Sequence, residues 1–194
     1  MDTAVWNAAK GEILAVAAEH GVQFMTVVVH HRVASEEKLI DWQLSNTLHS
    51  YETFLRLEDD VGMFTMDRQP GKGEYAMLRE RFQLGSTSPG GGRRSHPHIV
   101  ALSATCDGAS HMTSVADVAL GTFGYCVNER RPEWRMPREL MPLVDPLFWR
   151  GPGTGTSAFS WGITLTPAYP QFYAVEYQAL RKHLRDLGLD GEAA

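Results

Sequence analysis

The chain has 194 residues, 43% hydrophobic and 21% charged, a composition that fits one globular domain and excludes wholesale disorder. Eighteen Lys and Arg against 23 Asp and Glu leave a net charge of −5, so any affinity for nucleic acid has to come from a local basic surface. No apolar run is long enough to span a membrane, Met1-Asp-Thr-Ala-Val-Trp6 lacks the regions of a signal peptide, and two cysteines are too few for a disulfide scaffold, so a reduced cytoplasmic protein is the simplest expectation.

Val5, Ala9, Ile13, Val16 and Ala17 recur at helical steps and predict a helix over 4–19, with Gly21 as its stop. The short β-branched run Val22-Gln-Phe-Met-Thr-Val-Val-Val-His30 predicts a buried strand that is central or parallel-paired. Ser35 opens a long helix to about Leu57, with Leu44, Leu48, Tyr51 and Leu55 as its inner stripe. Val61 to Met66 predicts a second buried strand, ending at Asp67, and Gly71 to Phe82 a charged amphipathic helix. Gly85 to Ser95, with three consecutive glycines, is expected to be the most flexible stretch. His98 to Ser103 reads as a third strand. Thr113 to Glu129 reads as a helix with Val115, Ala119, Phe123 and Val127 on one face. Beyond it, Pro132, Pro137, Pro142 and Pro146 leave room for little but a short helix near 138–143. Gly151 to Thr156 is a turn-rich loop, Trp161 to Leu165 a last strand, and Gln171 to Leu187 a final helix carrying Tyr173, Tyr177, Leu180, Leu184 and Leu187. Helices alternating with strands imply an α/β domain with parallel pairings.

Several side chains are placed for chemistry. Asp67 sits at the carboxyl end of an apolar strand, where open α/β sheets collect ligands and where a carboxylate suits a hard metal ion; the plainer role is a cap for the turn before Pro70. Asp117 shares a helix stripe with Gly121 and Gly124, glycines that would let the helix press on a sheet; Ser114-x-x-Asp117 also approaches a capping box. His96 and His98, as His-x-His on a strand, would share one face and could meet zinc, although an exposed loop is the commoner setting. Arg93 and Arg94 form a basic loop able to touch phosphate. His30 and His31 end a strand, Cys126 reads as an inert buried thiol, and Trp134, Phe148, Trp149 and Trp161 load the C-terminal third with aromatics for a core or a partner surface.

Three segments in order resemble the DUF3800 family, whose fold is ribonuclease H-like. They are Ala8-Ala-Lys-Gly-Glu-Ile-Leu leading into Val22-Gln-Phe-Met-Thr-Val-Val-Val, then Tyr51-Glu-Thr-Phe-Leu followed by Val61-Gly-Met-Phe-Thr-Met-Asp67, then Ser114-Val-Ala-Asp-Val-Ala-Leu-Gly121. The resemblance covers about residues 5–130. It implies a three-layer fold, a mainly parallel central sheet flanked by helices, with an irregular Pro- and aromatic-rich extension over 131–194. It also implies a metal-dependent nuclease or phosphodiesterase in which Asp67 and Asp117 are catalytic and hold Mg²⁺ or Mn²⁺, with Glu74 or Glu129 completing the shell. Such ions polarise the phosphoryl group and activate water. The family's Asp-Glu-Ser-Gly-like opening strand, which carries a bridging carboxylate, has no counterpart before the first helix, and Ser114 stands where the family has Gln. The expectation is therefore either a nuclease or a catalytically inactive module of the same fold. The inactive module would join an assembly or a second copy through the C-terminal aromatics or an open sheet edge, or bind nucleic acid without cutting it.

Overall fold

The computed structural model describes residues 3–30, 32, 36–67, 73–87, 91–106, 111–131, 133, 135–153, 156–167 and 173–191. In chain order they form α1 (Thr3–Glu19), β1 (Thr26–Val29), α2 (Glu36–Glu58), β2 (Gly62–Asp67), α3 (Glu74–Leu84), β3 (Ser86–Thr87), β4 (Arg93–Arg94), β5 (Ile99–Thr105), α4 (His111–Asn128), α5 (Met136–Val144), α6 (Ala158–Trp161), β6 (Ile163–Thr166) and α7 (Ala174–Asp186). The class is mixed α/β. β1 pairs with β6 and β2 with β5, both parallel, while β3 and β4 form an antiparallel hairpin. Among the described residues these are three separate two-stranded sheets.

Two cores are built around them. The larger gathers Leu14 and Ala17 of α1, Ala119, Phe123 and Cys126 of α4, and the buried apolar residues of α5, β6 and α7. Phe148, 2% exposed, is central to it, with its ring 5.1 Å from Phe24 and 5.3 Å from Phe123. The expected extension thus supplies much of the main core. Phe148 is buried in it and Trp149 is buried against Phe54 and Trp161, so neither is free for a partner surface; Trp134 lies outside the described residues. The smaller core is Leu44, Leu48, Leu55 and Ile99, with Phe64, Met77 and Leu102 against it.

The long helix α2 builds the smaller core and also packs on the β1–β6 pair, because its spacing gives it several ridges. Leu44, Leu48, Tyr51 and Leu55 face β2 and β5, as the sequence predicts. Asn46, Ser50, Phe54 and Glu58, at steps of four, face β6 and Trp149. Thr166 Oγ1 donates to Asn46 Oδ1 at 3.3 Å, the Phe54 ring stands edge-on to Trp149 at 5.2 Å, and Trp149 Nε1 donates to Glu58 Oε1 at 3.3 Å. Where β2 crosses α2, Gly62 has no side chain for a physical reason: a Cβ there would collide with the Tyr51 ring.

Several local expectations need correction. Of the residues that marked α1 in the sequence, Ala17 is buried, but Val5 and Val16 are 59% and 52% exposed, and Leu14 is buried beside Ala17. β2 is only half-buried on its inner face, with Met63, Thr65 and Asp67 exposed, because no layer covers that side of the β2–β5 pair among the described residues. Trp161 closes the one-turn helix α6, whose N-cap is Ser157, and β6 starts after it. The glycine-rich stretch is a hairpin on both flanks of 88–90, which lie outside the described residues, as do His31, Ser35 and residues 68–72.

Candidate functional site

The sequence-predicted carboxylates lie on different elements. Asp67 ends β2 on its solvent face, in register with Thr105 of β5. Asp117 is exposed on α4, whose buried side carries Ala119, Thr122, Phe123 and Cys126. Gly121 and Gly124 do not bring α4 against a sheet, since a Cβ at either would meet open space. Nor is Ser114 a cap, because α4 begins at His111 and Ser114 falls inside it. Of the two carboxylates proposed to complete a metal shell, Glu74 is buried at the start of α3. Glu129 is clasped by Arg131, whose Nε donates to Oε1 at 2.7 Å; that hydrogen bond draws the carboxyl pKa down to about 2. Among the described residues no group of three or more His, Cys, Asp or Glu side chains is arranged to hold a metal ion.

A different cluster forms where the β3–β4 hairpin meets α2. Here α2 presents a third ridge, His49, Glu52 and Arg56, at steps of three and four. Glu52 is only 8% exposed and both of its oxygens are engaged. Oε1 lies 2.6 Å from His98 Nδ1, and Oε2 accepts the His98 backbone N–H at 3.1 Å. A carboxylate this buried has to be paired, because desolvating a lone charge costs several kcal/mol. His96 Nε2 is 2.8 Å from Ser86 Oγ, while its Nδ1 is buried without a partner. The two histidines thus precede β5 in a turn and take separate partners, so they do not share a strand face as a zinc pair would. The Ser86–His96 contact is not an accessible nucleophile and base either, since Ser86 is 2% exposed.

The hairpin is held by backbone fit as well as by side chains. Gly85 has φ +79°, and a Cβ there would strike the Arg94 carbonyl, so only glycine lets the chain close at this point. Arg81, 8% exposed, pairs with Asp41 of α2 and donates to Thr87 Oγ1 at 3.0 Å, stitching α2 and α3 to β3. Arg93 is committed in the same way: it pairs with Glu80, and Nη1 donates to the Gly85 carbonyl at 3.2 Å.

Arg94 is different. Its Nη1 lies 2.6 Å from Nε2 and 2.7 Å from Nδ1 of His49, an uncharged partner at neutral pH. Among the described residues neither Arg94 nor Arg56 has a carboxylate within ion-pair distance. Burial, reinforced by Arg94 and His96 and, last, by Arg56, holds the His49 imidazole below the usual histidine range; Glu52 opposes the shift. Burial likewise lowers His96, with Glu52 opposing and Arg94 assisting. The result is a surface on which Arg94 lies against His49, beside a Glu52 carboxylate that is engaged by His98. His49, Glu52 and Arg56 were not singled out from the sequence. Their signal was a polar stripe beside the leucine stripe of the same helix.

His30, at the end of β1, stacks on Tyr173 with ring centres 4.1 Å apart. Cys126 is fully buried, and burial raises its thiol pKa to about 12, which makes it inert as expected. Among the described residues no helix is long and apolar enough to cross a membrane. Comparison with family models, curated proteins and solved structures finds no match to this chain.

Proposed function

We propose that this chain is a binding module of mixed α/β architecture that takes nucleic acid on its hairpin face without cutting it. The observation that carries this reading is Arg94, an exposed guanidinium fixed in place by the hairpin and matched by no carboxylate among the described residues. In a protein of net charge −5, unpaired cationic groups held on one face are where a polyanion can approach. Glu52, Gly85 and Arg81 then serve as the frame that sets the hairpin on α2.

The test is fluorescence anisotropy with labelled single strands, duplexes and RNA–DNA hybrids, with and without Mg²⁺ or Mn²⁺. The expected result is binding that weakens as salt is added, no cleavage, and weaker binding by Arg94→Gln. Absence of binding at low salt, or unchanged binding by that variant, refutes it.

A second reading, metal-dependent cleavage in the manner of ribonuclease H-like enzymes, is favoured by one observation: Asp67 stands at the carboxyl end of a parallel strand pair. It needs Asp117 or another carboxylate to come alongside. Mg²⁺- or Mn²⁺-dependent cleavage lost in both Asp67→Asn and Asp117→Asn would establish it in place of the first.

A further inference from the structure

We infer that the last turn of the chain is a conformational latch: the Asp190 carboxylate holds α6 in place and through α6 sets β6 against β1, so that release of this one side chain frees α6 and β6 as a unit. The latch belongs to the main core and involves no residue of the hairpin face.

The final turn, Leu189–Gly191, follows α7 and is anchored in the main core by buried Leu187 and Leu189. Asp190 sits in it at φ +64°, a left-handed conformation that Asp tolerates better than most residues. Its carboxylate reaches back to the start of α6: Oδ1 accepts the Ala158 N–H at 2.8 Å, and Oδ2 accepts the Ser157 hydroxyl. Its backbone N–H donates to Asp145 Oδ1, also at 2.8 Å. The same Asp145 oxygen accepts from Arg150 Nη2 at 2.6 Å, and Arg150 Nη1 donates to the Asp145 carbonyl at 3.0 Å. Arg150 Nη2 lies 3.6 Å from Asp190 Oδ1. The three charged side chains are at most 27% exposed, so solvent screens them weakly. One residue thus joins the end of the chain to the turn after α5 and to the start of α6.

α6 needs this support. It has four residues, far fewer than a helix requires to persist by itself. Its first N–H is taken by Asp190 and its second by Ser157 Oγ at 3.2 Å. The position of α6 in turn fixes β6. Gly162, between them, packs so closely that a Cβ there would strike the Trp149 carbonyl. The Gly162 carbonyl accepts the Thr26 N–H at 2.8 Å, the bond that opens the β1–β6 register. That pairing is four residues long, and β6 is the one strand beside β1 among the described residues. Opening at Asp190 therefore loosens α6 and β6 and uncovers the edge of β1. β2 and β5, in a separate sheet over the smaller core, keep their contacts.

The experiment is native-state hydrogen exchange on the whole chain, read by mass spectrometry. Asp190→Gly is the first variant, because glycine keeps φ +64° without strain while the carboxylate is lost. Amides of α6, β6 and β1 are expected to exchange about ten- to hundredfold faster, and those of β2 and β5 to stay within about twofold of wild type. Asp190→Asn keeps an oxygen for the Ala158 N–H and is expected to recover most of the protection. Acceleration spread evenly over β2, β5 and the α6–β6 segment would be ordinary global destabilisation and overturns the latch. Unchanged exchange in α6 and β6 overturns it as well. Should Asp190→Gly fail to fold, the milder Ser157→Ala, which removes the contact to Asp190 Oδ2, is read the same way. Faster exchange confined to α6, β6 and β1 then supports the latch, and an even or absent change overturns it.

Discussion

Replacing Glu52 by alanine removes the link that fastens the hairpin segment to α2. The wild-type carboxylate is 8% exposed and receives two contacts from His98, at 2.6 Å from the ring and 3.1 Å from the backbone N–H. The alanine variant strands that N–H in a half-buried turn, at a cost of about 1–3 kcal/mol. The His98 side chain is 32% exposed, so its ring can turn to water, and its share is smaller, roughly 0.5–1 kcal/mol after solvent screening. The sum is about 1.5–4 kcal/mol, below the full penalty of a completely buried pair. Glu52→Gln keeps an acceptor for the N–H and should cost about 1 kcal/mol. Urea unfolding with linear extrapolation measures both. The expected order is wild type, then Gln, then Ala, with unchanged m-values. An alanine variant within about 0.5 kcal/mol of wild type, or a glutamine variant as weak as alanine, would show that Glu52 does not hold the hairpin.

Gly85→Ala forces a side chain into φ +79° and against the Arg94 carbonyl, so it should cost more than the roughly 1 kcal/mol of an ordinary turn substitution and reduce oligonucleotide binding with it, read by thermal melting and anisotropy. Phe148→Ala should destabilise by about 3–5 kcal/mol, whereas Val16→Ala should stay within about 0.5 kcal/mol, since one residue is 2% and the other 52% exposed; equal effects in urea unfolding would refute the assignment of the core. Ellman's reagent at pH 8 should titrate exposed Cys106 in the native protein and reach buried Cys126 only after unfolding. His49 and His96 have folded pKa values below their unfolded ones, so the unfolded chain binds more protons. Their contribution to stability should be complete above about pH 6.5 and fade as pH falls through the folded values; urea midpoints at pH 7.5 and 5.5 should converge in a His49→Gln, His96→Gln variant.

The leucine stripe of α2 was legible because a helix buried along one side repeats its apolar residues at fixed steps, and Leu44, Leu48 and Leu55 are all buried. The parallel character of the first strand was legible from its unbroken β-branched run, and β1 does pair in parallel with β6. On α1 the same reasoning found the helix and the buried Ala17 but included Val5 and Val16, which are exposed. Alanines and valines populate much of that helix, and the burial of Leu14 rather than Val5 or Val16 comes from packing on α4 and α5, which local pattern does not contain. Asp67 was correctly placed at a strand end, yet its relation to Asp117 is a tertiary fact that spacing does not encode. The cluster at α2 and the hairpin was hidden for a similar reason. His49 and Glu52 look like ordinary solvated positions until the glycine-rich turn folds Arg94, His96 and His98 back over them.

The pairing of β1 with β6 has a consequence during synthesis. The strand near the N-terminus of this chain finds its hydrogen-bonding neighbour only after most of the polypeptide has left the ribosome. Until then its valines have no native backbone partner, while the segment from α2 to β5 can already assemble its own pair of strands. The order of events is set by connectivity: the middle settles first, and the two ends close around it as the slow, entropically costly step.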